Sequence, residues 1–264
     1  MLLKADTALM RLMFRPVFGW RDTTPLPKEL AVLAVASADG SALEAFTLRA
    51  ACRRRGIVVL CHPFLKYGWR WFWRQELPQT LAAAGYEVVA FNYKGFGSSE
   101  LRGGRFPDDV AAVVRQVAAG AGGDPVFVYG ASFGGFHAVH AVADELDGLV
   151  AGLVLDSVPL AVERFFQSGA VAALMRGLSR SRWRQATATA PIGEKLAAIE
   201  QTPVLALLGE ADPLLTDADR AQLAANARIV SFPGLKHLEA LKQSRTALSE
   251  AVVGFFQEVG RDRS

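Results

Sequence analysis

Short runs in which nearly every position is apolar recur along the chain, at Ala31–Ala36, Leu43–Leu48, Ile57–Cys61, Val88–Phe91, Val126–Tyr129, Leu149–Leu155, Val204–Leu208 and Ile229–Phe232. Runs of this length read as strands. Between them lie stretches with helical character, predicting helices over Trp69–Ala84, Pro107–Ala119, Phe133–Glu145, Ile192–Glu200, Asp217–Ala225 and Leu238–Val259. Asp39-Gly40 joins the first two strands, and its tolerance of positive φ suits a tight hairpin, so the sheet should open antiparallel. The other six strands are separated by helical stretches, the signature of parallel crossovers. The Ile57 and Leu149 runs are apolar throughout, as strands buried on both faces must be. The pattern predicts an α/β fold: one domain over residues 1–264, with a mostly parallel eight-stranded sheet and helices on both faces.

Two stretches depart from this rhythm. Ser157 to Pro191 is a connection of about 35 residues, longer than such links usually are. It carries Phe165, Phe166, Leu174, Met175 and Trp183 among basic residues, so a small amphipathic lid over residues 157–191 is expected. Residues 1–19 form an apolar, basic segment in which Lys4, Asp6, Arg11 and Arg15 interrupt any charge-free span long enough for a membrane helix. Leu2, Leu9, Met13 and Val17 fall near one helical face. Packing on the parent domain is the expectation there, with weak membrane-surface contact as the alternative.

Composition narrows the class. Of 264 residues, 51% are hydrophobic and 21% charged, the balance of a soluble globular enzyme with a sizeable core. The net charge of +3 comes without any long basic run, and Arg53-Arg54-Arg55 reads as a solvated turn, so no nucleic-acid partner is expected. Cys52 and Cys61 suit neither a disulfide framework nor a zinc site, which makes a reducing cytoplasm the default and leaves no metal expected.

The strongest chemical signal is Gly130-Ala131-Ser132-Phe133-Gly134-Gly135, preceded by the Val126–Tyr129 strand and followed by a helix. A strand-to-helix turn this tight needs small residues two before and two after the serine, and it pushes the hydroxyl into a cleft. A serine is a weak nucleophile until a base accepts its proton. Of the four histidines, His237 follows the last strand and reaches the carboxyl edge of the sheet, whereas His137 and His140 sit on the nucleophile's own helix, which aims them away. Asp212, in the loop after the penultimate strand and fixed by Pro213, is the favoured orienting carboxylate, with Glu210 its local competitor and Asp156 its distant one. Acyl transfer also needs N–H donors for the developing oxyanion. Phe133 supplies one, and Phe64 is the choice for the other because Pro63 has no N–H. His62 is expected to shape that loop rather than serve as the base.

These motifs, together with Asn92-Tyr93-Lys94-Gly95-Phe96-Gly97-Ser98-Ser99, resemble the α/β-hydrolase superfamily over nearly the whole chain. The resemblance implies cofactor-free hydrolysis through an acyl-enzyme, as in the esterases, monoacylglycerol lipases and serine peptidases of that superfamily. Thioesterase, acyltransferase or peptidase chemistry on the same triad, or a non-catalytic binding role, are the alternatives. Two positions depart from the common pattern. His62-Pro63 replaces His-Gly, removing freedom from the oxyanion loop, and Asn92 and Lys94 replace the acid and arginine of Asp-x-Arg-Gly, altering the ion pair that braces it. Trp69, Phe96 and Trp183 are expected to line a site for a small-molecule acyl substrate with a lipophilic or aromatic group.

Overall fold

The computed structural model describes residues 23–165, 173, 177 and 190–261. Most of the expected lid interval, Trp183 included, and the N-terminal segment 1–19 lie outside the described residues. Eight strands form one sheet: β1 (Leu30–Ala36), β2 (Ala42–Leu48), β3 (Gly56–Cys61), β4 (Tyr86–Phe91), β5 (Val126–Ala131), β6 (Gly152–Asp156), β7 (Val204–Gly209) and β8 (Arg228–Phe232), in the spatial order β1-β2-β4-β3-β5-β6-β7-β8. The β1–β2 and β2–β4 pairings are antiparallel and the rest parallel. The sheet therefore opens with the hairpin the sequence predicts, with Gly40 at φ 79° in its turn.

The central strands are apolar because both their faces are covered. On β3, Ile57, Val59 and Cys61 pack into one core layer while Val58 and Leu60 pack into the other, and β5 divides Val126 and Val128 from Phe127 and Tyr129 in the same way. The first layer is covered by α3 (Pro107–Gly120) and α4 (Phe133–Ala141), and the second by α1 (Arg70–Arg74), α2 (Leu77–Ala83) and α8 (Arg245–Arg261). Three further short helices, α5 (Ile192–Ala197), α6 (Asp217–Asn226) and α7 (Ala240–Gln243), lie in the second half of the chain. None of the helices among the described residues is long and apolar enough to cross a membrane.

The elements differ from the sequence expectation at their joints. The helix expected over Trp69–Ala84 is two helices, because Glu76 adopts a left-handed conformation at φ 59° and Pro78 then opens the second helix. The helix expected from Leu238 begins at Ala240 and breaks again at Ser244. The strand expected from Leu149 starts at Gly152, and Leu149 itself is 43% exposed.

The loop after β4 is held by two braces that answer the altered motif. The Asn92 side chain accepts the Trp69 N–H (2.9 Å) and donates to Glu44 (2.7 Å), filling a space between Gly68 and Gly97 that a Cβ at either position would close, at 1.8 and 2.2 Å. Lys94 is fully buried, with Nζ 2.6 Å from Asp39 and 3.2 Å from Asp109. The ion pair is thus rebuilt with lysine, not lost. Burial pushes the Asp109 carboxyl up to about 6 against the pull of Lys94.

This pairing sets a pH-dependent prediction. Removing one partner of a buried pair leaves an uncompensated charge, so Lys94→Met should lower the unfolding free energy by about 3–5 kcal/mol in urea titrations at pH 7. Asp109 binds a proton more readily folded than unfolded, so its contribution to stability rises as pH falls through about 6 toward its unfolded value. Losing Lys94 widens that difference, and the penalty should be smaller at pH 5 than at pH 7.

Candidate active site

The chain leaves β5 and turns into α4 at Ser132, whose backbone stands at φ 50° and ψ −115°. This is a sparsely populated conformation for a residue with a side chain and costs on the order of 1–3 kcal/mol. Packing enforces it. A Cβ on Gly134 would lie 2.0 Å from the Cys61 carbonyl oxygen at the end of β3, one on Gly130 2.4 Å from the Gly135 Cα, and one on Gly135 2.3 Å from Val158. The three glycines are the means by which α4 starts in contact with β3 and β5. The Ser132 N–H also donates to the Asp156 carbonyl oxygen (2.8 Å), fixing the turn to the neighbouring strand.

Ser132 Oγ lies 2.8 Å from His237 Nε2, and His237 Nδ1 lies 2.8 Å from Asp212 Oδ2. An ionised carboxylate only accepts, so Nδ1 carries the proton and donates to Asp212, which leaves Nε2 to accept from the serine hydroxyl. The Asp212 side chain is fully buried while that of His237 keeps 22% of its surface exposed. The acid's other oxygen, Oδ1, accepts the Leu214 N–H (2.9 Å). Arg220, on α6, donates to the carbonyl oxygens of Gly209 and Glu210, each at 3.1 Å, and stiffens the acid loop from outside. The Ala211 N–H reaches the Leu235 carbonyl (2.9 Å), so the loops bearing acid and base are stitched together.

Both competitors for the acid position stand elsewhere. Glu210 is exposed. Asp156 is fully buried and accepts from the Tyr129 hydroxyl (2.7 Å) and the Ser157 hydroxyl (3.0 Å), and burial raises its carboxyl pKa.

Phe133 is the first residue of α4, so its N–H has no acceptor within the helix. Phe64 stands in the loop after β3, with its ring 5.3 Å from that of Phe133. His62 is buried beneath this loop, Nδ1 donating to the Pro63 carbonyl oxygen (2.8 Å) and Nε2 accepting the Tyr93 N–H (3.3 Å). Burial drives its pKa down to about 4, so the ring is neutral and ties the loop after β3 to the loop after β4. Among the described residues no group of three or more His, Cys, Asp and Glu side chains is arranged to hold a metal ion.

Comparison with known proteins bears on the fold that carries this arrangement. A family model described as the alpha/beta hydrolase fold matches residues 56–175. The chain has the α/β-hydrolase fold. The Pyrococcus furiosus esterase Pf2001 superposes on this chain with a TM-score of 0.71 at 15% identity, covering 92% of this chain and 97% of that one. A thermostable carboxyl esterase from Bacillus coagulans gives a TM-score of 0.65 at 15% identity over 88% of this chain and 99% of that one. The Xanthomonas campestris protein XC6422, a serine hydrolase described as lacking a lid, gives 0.60 at 20% identity over 87% and 96%. No curated protein sequence matches the chain.

Two substrate-lining expectations are corrected by the α/β-hydrolase core. Trp69 is 1% exposed and packs on Phe46 (ring centroids 4.9 Å) in the layer beneath α1, α2 and α8, so it serves the core. Phe96 is fully buried behind the oxyanion loop, against His62 (4.9 Å) and Phe64 (5.6 Å), where it supports the loop without reaching the cleft. The half-buried rings beside the site are those of Phe64 and Phe165, on either side of Phe133. Phe165 lies in the interval expected to form the lid. Sequence reasoning missed Arg220, whose role arises from a helix eight residues beyond the acid and leaves no motif.

The elbow's packing generates a prediction with an internal control. Gly134→Ala must displace backbone at the end of β3 and should destabilise the fold by at least about 2 kcal/mol. Gly254→Ala, at an exposed mid-helix position of α8 where a Cβ meets nothing within 4 Å, should stabilise it by about 0.5–1 kcal/mol. Chemical denaturation of both variants checks the contrast.

Proposed function

We propose that this protein is a serine hydrolase that cleaves carboxylic esters of lipophilic or small acyl groups through an acyl-enzyme on Ser132. The observation that carries the reading is the unbroken chain Ser132 Oγ–His237 Nε2–His237 Nδ1–Asp212 Oδ2, with both links at 2.8 Å. As Oγ attacks the ester carbonyl carbon, its proton passes to Nε2, and the new imidazolium is held by the buried Asp212 carboxylate. The carbonyl oxygen gains the negative charge, for which the N–H groups of Phe133 and Phe64 are the donors we assign. Collapse of the tetrahedral intermediate breaks the ester C–O bond, and the departing alkoxide takes the proton from His237. Water then attacks the acyl-serine with His237 again as base, releasing the carboxylic acid and restoring the serine.

The lipophilic preference is supported by Phe64, Phe133 and Phe165, which bring three aromatic rings together beside the nucleophile. Thioesters, amides and other acyl acceptors would pass through the same acyl-serine and differ only in the leaving or attacking group. We place the protein in the cytoplasm, in keeping with its two free thiols, Cys52 exposed and Cys61 buried.

Labelling with a fluorophosphonate tests the nucleophile directly. Wild type should be labelled and Ser132→Ala should not, with ester hydrolysis by the variant reduced by about four to six orders of magnitude. The profile over p-nitrophenyl esters of increasing chain length should favour acyl groups that reach the phenylalanine cluster. Folded wild type that resists the label and hydrolyses none of the esters would overturn the reading in favour of a binding protein.

A further inference from the structure

One dipeptide outside the triad touches the supports of all three of its members. The Asp156 carbonyl oxygen accepts the Ser132 N–H (2.8 Å), the Ser157 hydroxyl accepts the Leu238 N–H (3.2 Å), and the Ser157 N–H donates to the Leu207 carbonyl (3.0 Å). Leu238 is the residue after the base, and Leu207 lies on β7, the strand that leads into the Asp212 loop. We infer that Asp156-Ser157 is a positioning device that sets the separation of nucleophile, base and acid.

Three features separate this pair from an ordinary strand end. Ser157 and Leu238 both hold left-handed backbones, at φ 54° and 58°, and they are joined to each other by the hydroxyl-to-amide bond. Such conformations persist in residues with side chains only where surrounding contacts over-determine them. The hydroxyl that accepts from Leu238 is itself oriented, because its own proton is given to Asp156 Oδ1 (3.0 Å). Asp156 in turn is anchored from the core side by the Tyr129 hydroxyl on Oδ2 (2.7 Å). The chain Tyr129–Asp156–Ser157–Leu238 thus runs from the buried face of β5 to the backbone of the histidine loop, with every donor and acceptor assigned.

The carboxylate is costly to bury, and it makes no direct bond to His237, whose Nδ1 is taken by Asp212. A neutral side chain at 156 would support the strand end without that cost. A fixed acceptor for the Ser157 proton, which turns the serine lone pair toward Leu238, is what the carboxylate supplies. Ser157 and Asp156 act through the loop and contact no reacting atom, so they are positioning residues. This role rests on the hydrolytic reading of the site.

Ser157→Gly is the discriminating variant. Glycine accepts φ 54° without strain, so the substitution removes the hydroxyl while relaxing the backbone, and the melting temperature should not fall. The kcat for a p-nitrophenyl ester should drop by roughly tenfold with KM unchanged, the signature of a misplaced catalytic group. Hydrogen exchange at the Leu238 amide should quicken by about tenfold or more as its acceptor is lost. Asp156→Ala, which removes the acceptor for the Ser157 proton, should move both readings the same way, and in the double variant the losses should not add, because the two groups act in series. A Ser157→Gly protein that matches wild type in both kcat and Leu238 exchange would overturn the inference, as would one whose KM and stability fail together with its kcat. Wild type that neither labels nor turns over sinks the hydrolytic reading and this role with it. Labelled wild type whose Ser157→Gly form turns over unchanged sinks this role alone.

Discussion

The structure around Ser132 depends on a steric constraint: α4 must begin in van der Waals contact with the ends of β3 and β5. Three glycines make that approach by omitting the Cβ atoms that would strike Cys61, Gly135 and Val158. The consequence is chemical as well as architectural. With the helix this close, the serine between strand and helix is forced to φ 50°, its hydroxyl stands toward His237, and the helix's first N–H, that of Phe133, has no partner within the helix. The strain is offset by bonds from its neighbours, among them the Ser132 N–H to Asp156 and the Phe136 N–H to the Ser132 carbonyl (3.0 Å). A hydroxyl held this way has its direction toward His237 set by the backbone.

Around that fixed point the loops at the carboxyl edge are held by polar contacts as well as by aromatic packing. Each loop is tied to the next: His62 to the Tyr93 N–H, Asn92 to the Trp69 N–H, Ala211 to Leu235, and Leu238 to Ser157. Most of these bonds use a backbone N–H that would otherwise be orphaned near the end of a strand, and in a buried setting each orphan would cost about 1–3 kcal/mol. The polar network therefore answers the cost of exposing strand ends and serves to align side chains at the same time. His62 illustrates the economy, since its neutral ring donates on one side and accepts on the other and so joins two loops without introducing charge.

What the sequence displayed was set by local rules, and what it concealed was set by contacts between distant segments. The strands of the central sheet were legible because burial on both faces leaves them almost wholly apolar, and Gly130, Gly134 and Gly135 were legible because the elbow admits nothing larger. The helix breaks at Glu76 and Ser244 were not, since a left-handed glutamate has no compositional mark. Trp69 and Phe96 were misplaced for a related reason: an aromatic residue near the catalytic edge can face the cleft or the core, and only the packing of Phe46 and His62 against them decides which. Asn92 and Lys94 looked like a lost brace because the partners that rebuild it, Glu44 on β2 and Asp39 in the first hairpin, lie about 50 residues away in sequence.

The same distinction explains why Asp156 read as a rival to Asp212 and stands as its complement. Asp156 ends β6 and Asp212 stands in the loop after β7, both at the carboxyl edge and both buried, so position alone leaves the choice open. Their hydrogen-bond partners resolve it. Asp212 accepts from an imidazole N–H on one oxygen and from one backbone amide on the other. Asp156 faces two hydroxyl donors, one from the core and one from its own neighbour, which hold its charge away from the proton path and direct it into orientation. Two carboxylates of the same intrinsic acidity are thereby given different work by what donates to them, and the division requires that the strands carrying them be adjacent, as β6 and β7 are.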